Sequence, residues 1–246
     1  MIARFSVFFV NAVYDIERRE VLHEIQGHSN DVNSVGFVDP LDPNVLVSGS
    51  DDHLIKIWDR RSLGAACIPS GVLIGHTEGI TYVSPKGDGR HILSNGKDQA
   101  MKLWDIRRMA SGSKKDYSET IDYCPPWDYR WMKYPLKSPL KHPKDCSVKT
   151  FVGHSVLKTL IRCHFSPCSN YTYTGSADGI IHIYSLQGNE KHRINTNSVK
   201  FGRSRHARDS RGLVRDVSWH PNAPYLICGQ WLEDGGRLLK YDPAFE

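Results

Sequence analysis

Apolar and polar positions alternate along this chain in short runs. Val32, Val35 and Phe37 are apolar with polar neighbours between them, Val45-Leu46-Val47 follows as a compact apolar run, and Leu54, Ile55 and Ile57 lead to Trp58. Such runs of β-branched and aromatic residues, broken by Gly, Asp and Ser clusters, predict short strands joined by tight turns. No helical periodicity is long enough to compete. The pattern then recurs. Leu46 to Arg61 reads LVSGSDDHLIKIWDRR and Ile92 to Arg107 reads ILSNGKDQAMKLWDIR, with the two tryptophans 46 residues apart. One repeat of this size cannot bury its own apolar face, so the repeats must stack on one another.

Other copies keep the period. Gly27-His28, Gly75-His76 and Gly153-His154 open three units, and the histidines precede Trp58, Trp104 and Tyr184 by 30, 28 and 30 residues. Six residues before each terminal aromatic stands an aspartate (Asp52, Asp98, Asp178), and ten before it a hydroxyl (Ser48, Ser94, Thr174). A weaker fourth unit runs from about Gly212 through Trp219-His220-Pro221 to Tyr241-Asp242, and Phe5 to Asp15 resembles the last strands of a unit begun elsewhere. Four strands per ~40–45 residues, marked by Gly-His and Trp-Asp, resemble the blade of a WD-repeat β-propeller. The expected fold is all-β, an incomplete WD-repeat propeller of about four to five blades. Its expected parts are a truncated blade and linker (1–26), two blades (27–106), a basic Pro- and aromatic-rich insertion (107–149), a blade (150–188), a basic loop (189–211) and a divergent last blade (212–246). In that last part Gln230 to Arg237 stands where a strand and turn belong. Open sheet edges would expose the chain to aggregation.

The spaced His, Ser/Thr, Asp and aromatic residues have a structural role by this resemblance. In WD repeats they form a hydrogen-bond chain from indole to hydroxyl to imidazole to carboxylate. Here it would join Trp58, Ser48, His28 and Asp52, then Trp104, Ser94, His76 and Asp98, with Tyr184, Thr174, His154 and Asp178 as a third set. A buried polar chain is tolerable only when every member is satisfied. Hydroxyl, histidine and aspartate together could suggest a hydrolase triad, but a set repeated in each blade is not an active site. No catalytic residue is assigned.

Composition adds little that is specific. Charged residues make up 24% and apolar ones 39%, and no apolar run approaches the ~18 residues of a membrane span. Met1 to Val13 has an arginine and a short apolar stretch but no small-x-small cleavage site, so it reads as the start of a strand rather than a signal peptide. The cysteines at 67, 124, 146, 163, 168 and 228 contain no Cys-x-x-Cys pair. Neither a metal site nor a cofactor is expected, and reduced thiols point to the nucleus or cytoplasm.

The net charge of +5 is uneven. Arg107 to Lys149 carries ten Lys and Arg against five Asp and Glu, and Glu190 to Asp216 carries eight against three. These segments are solvated inter-blade loops, or they meet an acidic partner, an import receptor or nucleic acid. Arg203, Arg205, Arg208 and Arg211 are too interrupted for a strong import signal, and no recognised nucleic-acid module is present. The first segment also holds Trp127-Asp128-Tyr129-Arg130-Trp131, which repeats the Trp-Asp-x-Arg string without an upstream Gly-His. It anchors the loop by packing, or it takes part in recognition directly.

Two repeats end in Trp-Asp-x-Arg: Trp58-Asp59-Arg60-Arg61 and Trp104-Asp105-Ile106-Arg107. A blade needs the aromatic for its core and the aspartate for its turn, but not the arginine. Arg61 and Arg107 should emerge on one face of adjacent blades, where paired guanidiniums can bind a partner's carboxylates and carbonyls. Double motifs of this kind resemble those of the WD-repeat substrate receptors of cullin-four RING ubiquitin ligases. The stretches Asp31–Val35, Gly79–Thr81, Ser94–Gln99, Lys102–Arg108, Trp127–Trp131, Leu157–Arg162 and Val214–Pro221 are similar to one member of that family. The likeness covers roughly residues 14 to 185 and resumes at 212 to 221. It implies a non-catalytic receptor that docks on the damaged-DNA-binding-protein-one adaptor through Arg61, Arg107, Asp59 and Asp105 and recruits proteins for ubiquitination. The competing reading is a propeller scaffold in chromatin or RNA processing. Neither a membrane nor sequence-selective nucleic-acid binding is expected, and no loop identifies a substrate.

Overall fold

The computed structural model describes residues 2–5, 10–64, 67–113, 127–198, 212–232 and 235–242. Cys124, Arg203, Arg205, Arg208 and Arg211 lie outside the described residues, as do residues 114–126 of the insertion. The described strands form five antiparallel sheets. The chain divides into two compact units, one of residues 1–127 and 134–152, the other of 128–133 and 153–246.

The first unit holds three sheets. The first contains β1 (Ile2–Phe5), β2 (Val10–Asp15) and β3 (Glu20–Gln26). Within the stretch expected as a truncated blade plus linker (1–26), residues 20–26 are a strand: they pair with β2 across a bulge at Val13/Tyr14 and bury Ile25. The second sheet runs β4 (Val32–Asp39), β5 (Asp42–Ser50), β6 (Ile55–Asp59), β7 (Gly71–Leu73). The third runs β8 (Ile80–Pro85), β9 (His91–Gly96), β10 (Ala100–Asp105), β11 (Lys149–Val152). Sheet and sequence repeat are out of phase, because each outer strand precedes the Gly-His of the next repeat. The expected boundary at 149/150 consequently cuts through β11, which is bonded to β10.

The two four-stranded sheets pack face to face on Val47, Ile55, Ile57, Ile80, Val83 and Trp104. Trp58 packs toward the preceding sheet with Val13, Ile25 and Leu46. Being covered on both faces, β10 is buried at all six positions. That includes Lys102, whose ammonium ends on Asp145 at 2.6 Å and Thr150 at 3.1 Å. Asp145 belongs to the return limb of the insertion, which also bonds Cys146 N to Ile74 O and Val148 N to Leu103 O.

The second unit holds β12 (Cys163–Phe165), β13 (Tyr171–Thr174), β14 (Ile180–Ser185) and β15 (Lys191–Asn195) in one sheet, and β16 (Leu213–Trp219), β17 (Leu226–Leu232) and β18 (Gly235–Tyr241) in another. Tyr173, Ile181, Val214, Val217 and Leu226 form the core between them. Gln230 to Arg237 does not replace strand and turn. Gln230 is a buried member of β17, donating to Thr196 and Asn197, and Arg237 lies opposite it on β18.

Candidate docking site

Two hydrogen-bond chains fix the ends of β6 and β10. In the first, Trp58 Nε1 donates to Ser48 Oγ at 2.8 Å, Ser48 Oγ lies 2.7 Å from His28 Nε2, and His28 Nδ1 lies 2.8 Å from Asp52 Oδ2. The second repeats it through Trp104, Ser94, His76 and Asp98 at 2.7, 2.6 and 2.9 Å. One tautomer satisfies every member: the indole donates to the hydroxyl, the hydroxyl to Nε2, and Nδ1–H to the carboxylate. Burial pushes the His28 imidazole below its ordinary value, although the Asp52 bond and charge oppose this. Asp98 is wholly buried; that cost is outweighed by His76 and the amide of Thr77, and its carboxyl stays below the ordinary range. The glycines before these histidines are required by close approach. A Cβ at Gly27 would strike the Trp58 ring, and one at Gly75 would strike Asp145 and approach the Trp104 ring.

The third set departs from this plan. His154 Nδ1 faces the Tyr184 hydroxyl at 3.3 Å rather than Asp178. Asp178 is 42% exposed, caps the amide of Ile180 and lies 3.8 Å from His182. Thr174 Oγ1 is within bonding distance of the carbonyls of Arg162 and Gly175. The expected chain of His154, Thr174, Asp178 and Tyr184 is thus corrected: Asp178 is not its terminus. The phenol reaches further than an indole N–H and occupies the imidazole nitrogen that the carboxylate holds elsewhere.

Trp58 and Trp104 are fully buried, so the aspartate that follows each is held at a fixed point at the end of its strand. Asp59 and Asp105 end the third strands of neighbouring sheets, which places Arg61 and Arg107 at the same end of both. Each aspartate turns the chain by accepting the arginine's own amide through Oδ1, at 3.0 Å in both cases. Beyond that bond the motifs differ. The Arg61 side chain, 64% exposed, closes on Asp59 through Nε at 2.9 Å to Oδ1 and Nη2 at 2.7 Å to Oδ2. This fork holds the Asp59 carboxyl below its ordinary range. Arg107 is exposed and makes no ion pair with a described residue. Its aspartate belongs instead to Arg90, whose Nη2 lies 2.5 Å from Asp105 Oδ2. That bond is the main reason the Asp105 carboxyl sits down at about 2.

The third Trp-Asp-x-Arg string is built like the first. Arg130 N meets Asp128 Oδ1 at 2.9 Å, and its guanidinium closes on Asp128 through Nε at 2.9 Å and Nη2 at 2.8 Å. Its two tryptophans have different surroundings: Trp127 stands edge-on to Tyr134, whereas Trp131 is 86% exposed. Arg90 and Asp145 were not singled out by sequence reasoning. The only available signal for Arg90 was its place 46 residues after Asn44, the repeat spacing. Among the described residues no cluster of His, Cys, Asp and Glu could hold a metal ion.

The family described as WD domain, G-beta repeat matches residues 19–59, 67–105 and 145–185. The chain is 43% identical over 235 residues to the LEC14B protein of Lithospermum erythrorhizon, covering 94% of this chain and 46% of that one. It is 45% identical over 226 residues to the LEC14B homolog of Prunus armeniaca, covering 89% and 44%. It is 36% identical over 224 residues to the DDB1- and CUL4-associated factor 11 homolog of Caenorhabditis elegans, covering 89% and 37%. The chain therefore spans less than half the length of these curated relatives.

Proposed function

We propose, from the premise that this chain belongs to the WD-repeat family and is homologous to the DDB1- and CUL4-associated factor 11 homologs, that it is part of a substrate receptor of a CUL4–DDB1 ubiquitin ligase. In this reading the protein does no chemistry. It holds a substrate protein and docks on the DDB1 adaptor in the nucleus or cytoplasm. The observation that carries the reading is the pair of exposed arginines, Arg61 and Arg107, presented at the same end of adjacent sheets by aspartate-capped turns. Guanidiniums are suited to this role because they stay charged and bind carboxylates with two parallel hydrogen bonds.

The test is co-purification of the protein with the adaptor, intact and as the Arg61→Ala/Arg107→Ala double variant. Truncating interface arginines costs ~2 kcal/mol or more in binding, whereas exposed substitutions change stability by less than ~0.5 kcal/mol. Binding should therefore be lost at an unchanged melting temperature. Full adaptor binding by the double variant would reject the reading.

A further inference from the structure

We infer that the two motif arginines are unequal, and that Arg90 is the positioning residue that keeps Arg107 open for a carboxylate of the docking partner. This deepens the receptor reading and rests on it. Three Asp-x-Arg turns in this chain share the same backbone bond from the arginine amide to aspartate Oδ1. In two of them, Asp59–Arg61 and Asp128–Arg130, the guanidinium folds back and forks onto its own aspartate with nearly identical distances. Closure is thus what this turn does when the aspartate is available. At Asp105 it is not available, because Arg90 occupies Oδ2, the oxygen that the arginine's own Nη2 takes in the other two turns.

One position in the repeat supplies the cation at Asp105, where the chain also continues into a short 3-10 helix, Ile106–Arg108. Asn44 and Arg90 are equivalent: each stands 15 residues before the motif aspartate, and each carbonyl accepts the amide of the residue after that aspartate, Arg60 N at 2.9 Å and Ile106 N at 3.1 Å. Asn44 spends its side chain on Asp42 Oδ1 at 2.7 Å and brings no cation to Asp59. Arg90 brings one, and a carboxylate already neutralised by a guanidinium is a poor partner for a second. Among the described residues no carboxylate pairs with the Arg107 guanidinium, so a partner carboxylate has no pair there to displace, while at Arg61 it must compete with Asp59. Holding a group in its binding-competent state removes that competition from the affinity.

The experiment is a double-mutant cycle on adaptor affinity with the whole protein, using Arg90→Asn, Arg107→Ala and both together, with a crystal structure of the Arg90→Asn protein beside it. Arg90→Asn should weaken adaptor binding about five- to tenfold, add nothing once Arg107 is alanine, and show Arg107 forked onto Asp105. The reciprocal Asn44→Arg should open Arg61 and tighten binding. An Arg107 that stays away from Asp105 in the Arg90→Asn structure overturns the inference without reference to any partner. So does an Arg90→Asn loss that is equally large without Arg107, since Arg90 would then touch the adaptor itself. If the Arg61→Ala/Arg107→Ala protein still binds the adaptor, the docking reading fails, and the Arg90→Asn structure still decides whether Arg90 positions Arg107.

Discussion

Asp98 and Asp178 hold the same place in the repeat and carry different weight. Asp98 is buried and accepts from His76 Nδ1 and from the amides of Thr77 and Ala100. Asp178 is half exposed and bonds the amide of Ile180. Each buried group left unsatisfied costs ~1–3 kcal/mol. Asp98→Ala should therefore destabilise its sheet by about 3 kcal/mol or more, and Asp178→Ala by about 1 kcal/mol or less, in urea titrations of the two variants. Equal losses would mean that the carboxylates play equal parts. His28 gives a pH dependence with a definite sign. Its folded value is depressed by burial, while the unfolded ring takes up a proton near pH 6.5. The unfolded state then binds more protons, so stability falls as pH drops below about 6.5 and levels off at the folded value. Asp52, also held low in the fold, extends the loss below about pH 4. Unfolding midpoints should be lower at pH 5.5 than at 7.5, with a smaller difference in His28→Gln.

At the scale of elements, the third strands of the three four-stranded sheets, β6, β10 and β14, organise them. They are buried at every position or at all but an end one, and a lysine lies within two of them. Lys56 ends on the carbonyl of Gly27 at 2.5 Å, within 3.8 Å of Asp52. Lys102 instead recruits Asp145 from the insertion, in an ion pair that is almost fully buried. Removing one partner from such a pair costs ~3–5 kcal/mol, because the other charge is left desolvated. Asp145→Ala should destabilise the sheet by about 3 kcal/mol and increase hydrogen exchange at the amides of Cys146 and Val148, which bond to Ile74 and Leu103. Unchanged exchange there would show that the return limb is held by its backbone bonds alone. Gly179 marks the same turn in the sheet of β12–β15, just before β14. With φ of +77 it takes the left-handed conformation that His53 and Gln99 adopt in the other two. A Cβ there would also collide with Asn197 and Gly212, which explains the glycine at this one of the three turns.

At the scale of the whole molecule, the segments 107–149 and 190–216 carry a net charge of +10, against −5 for the rest of the chain. Among their described residues, Arg130, Lys133, Lys137, Lys141 and Lys144 are exposed. Loop-borne cations without a base-reading element bind nucleic acid through phosphate alone, and such binding weakens steeply as salt rises. Fluorescence anisotropy with DNA and RNA oligomers should show weak, sequence-blind binding that disappears between about 50 and 200 mM salt. A salt-resistant, sequence-selective interaction would instead favour a nucleic-acid scaffold.

The repeat itself was legible in the amino-acid sequence. Period-two alternation, the Gly-His and Trp-Asp marks and the spacing of Ser48, Asp52 and Trp58 all recur locally, and local recurrence survives in a one-dimensional string. So the all-β class, two of the three hydrogen-bond chains and the exposed positions of Arg61 and Arg107 could be derived from residues alone. Only the tertiary structure decided the rest, because it depends on which groups arrive at the same point from distant places in the chain. Strand β11 closes the sheet of the repeat before it. Asp178 leaves its chain because a tyrosine hydroxyl reaches His154 first. Asp145 crosses 43 residues to neutralise Lys102. The two Trp-Asp-x-Arg strings look equal in sequence and are not, since each aspartate binds whichever guanidinium reaches it, and Arg90 reaches Asp105 across the strand pairing rather than along the chain.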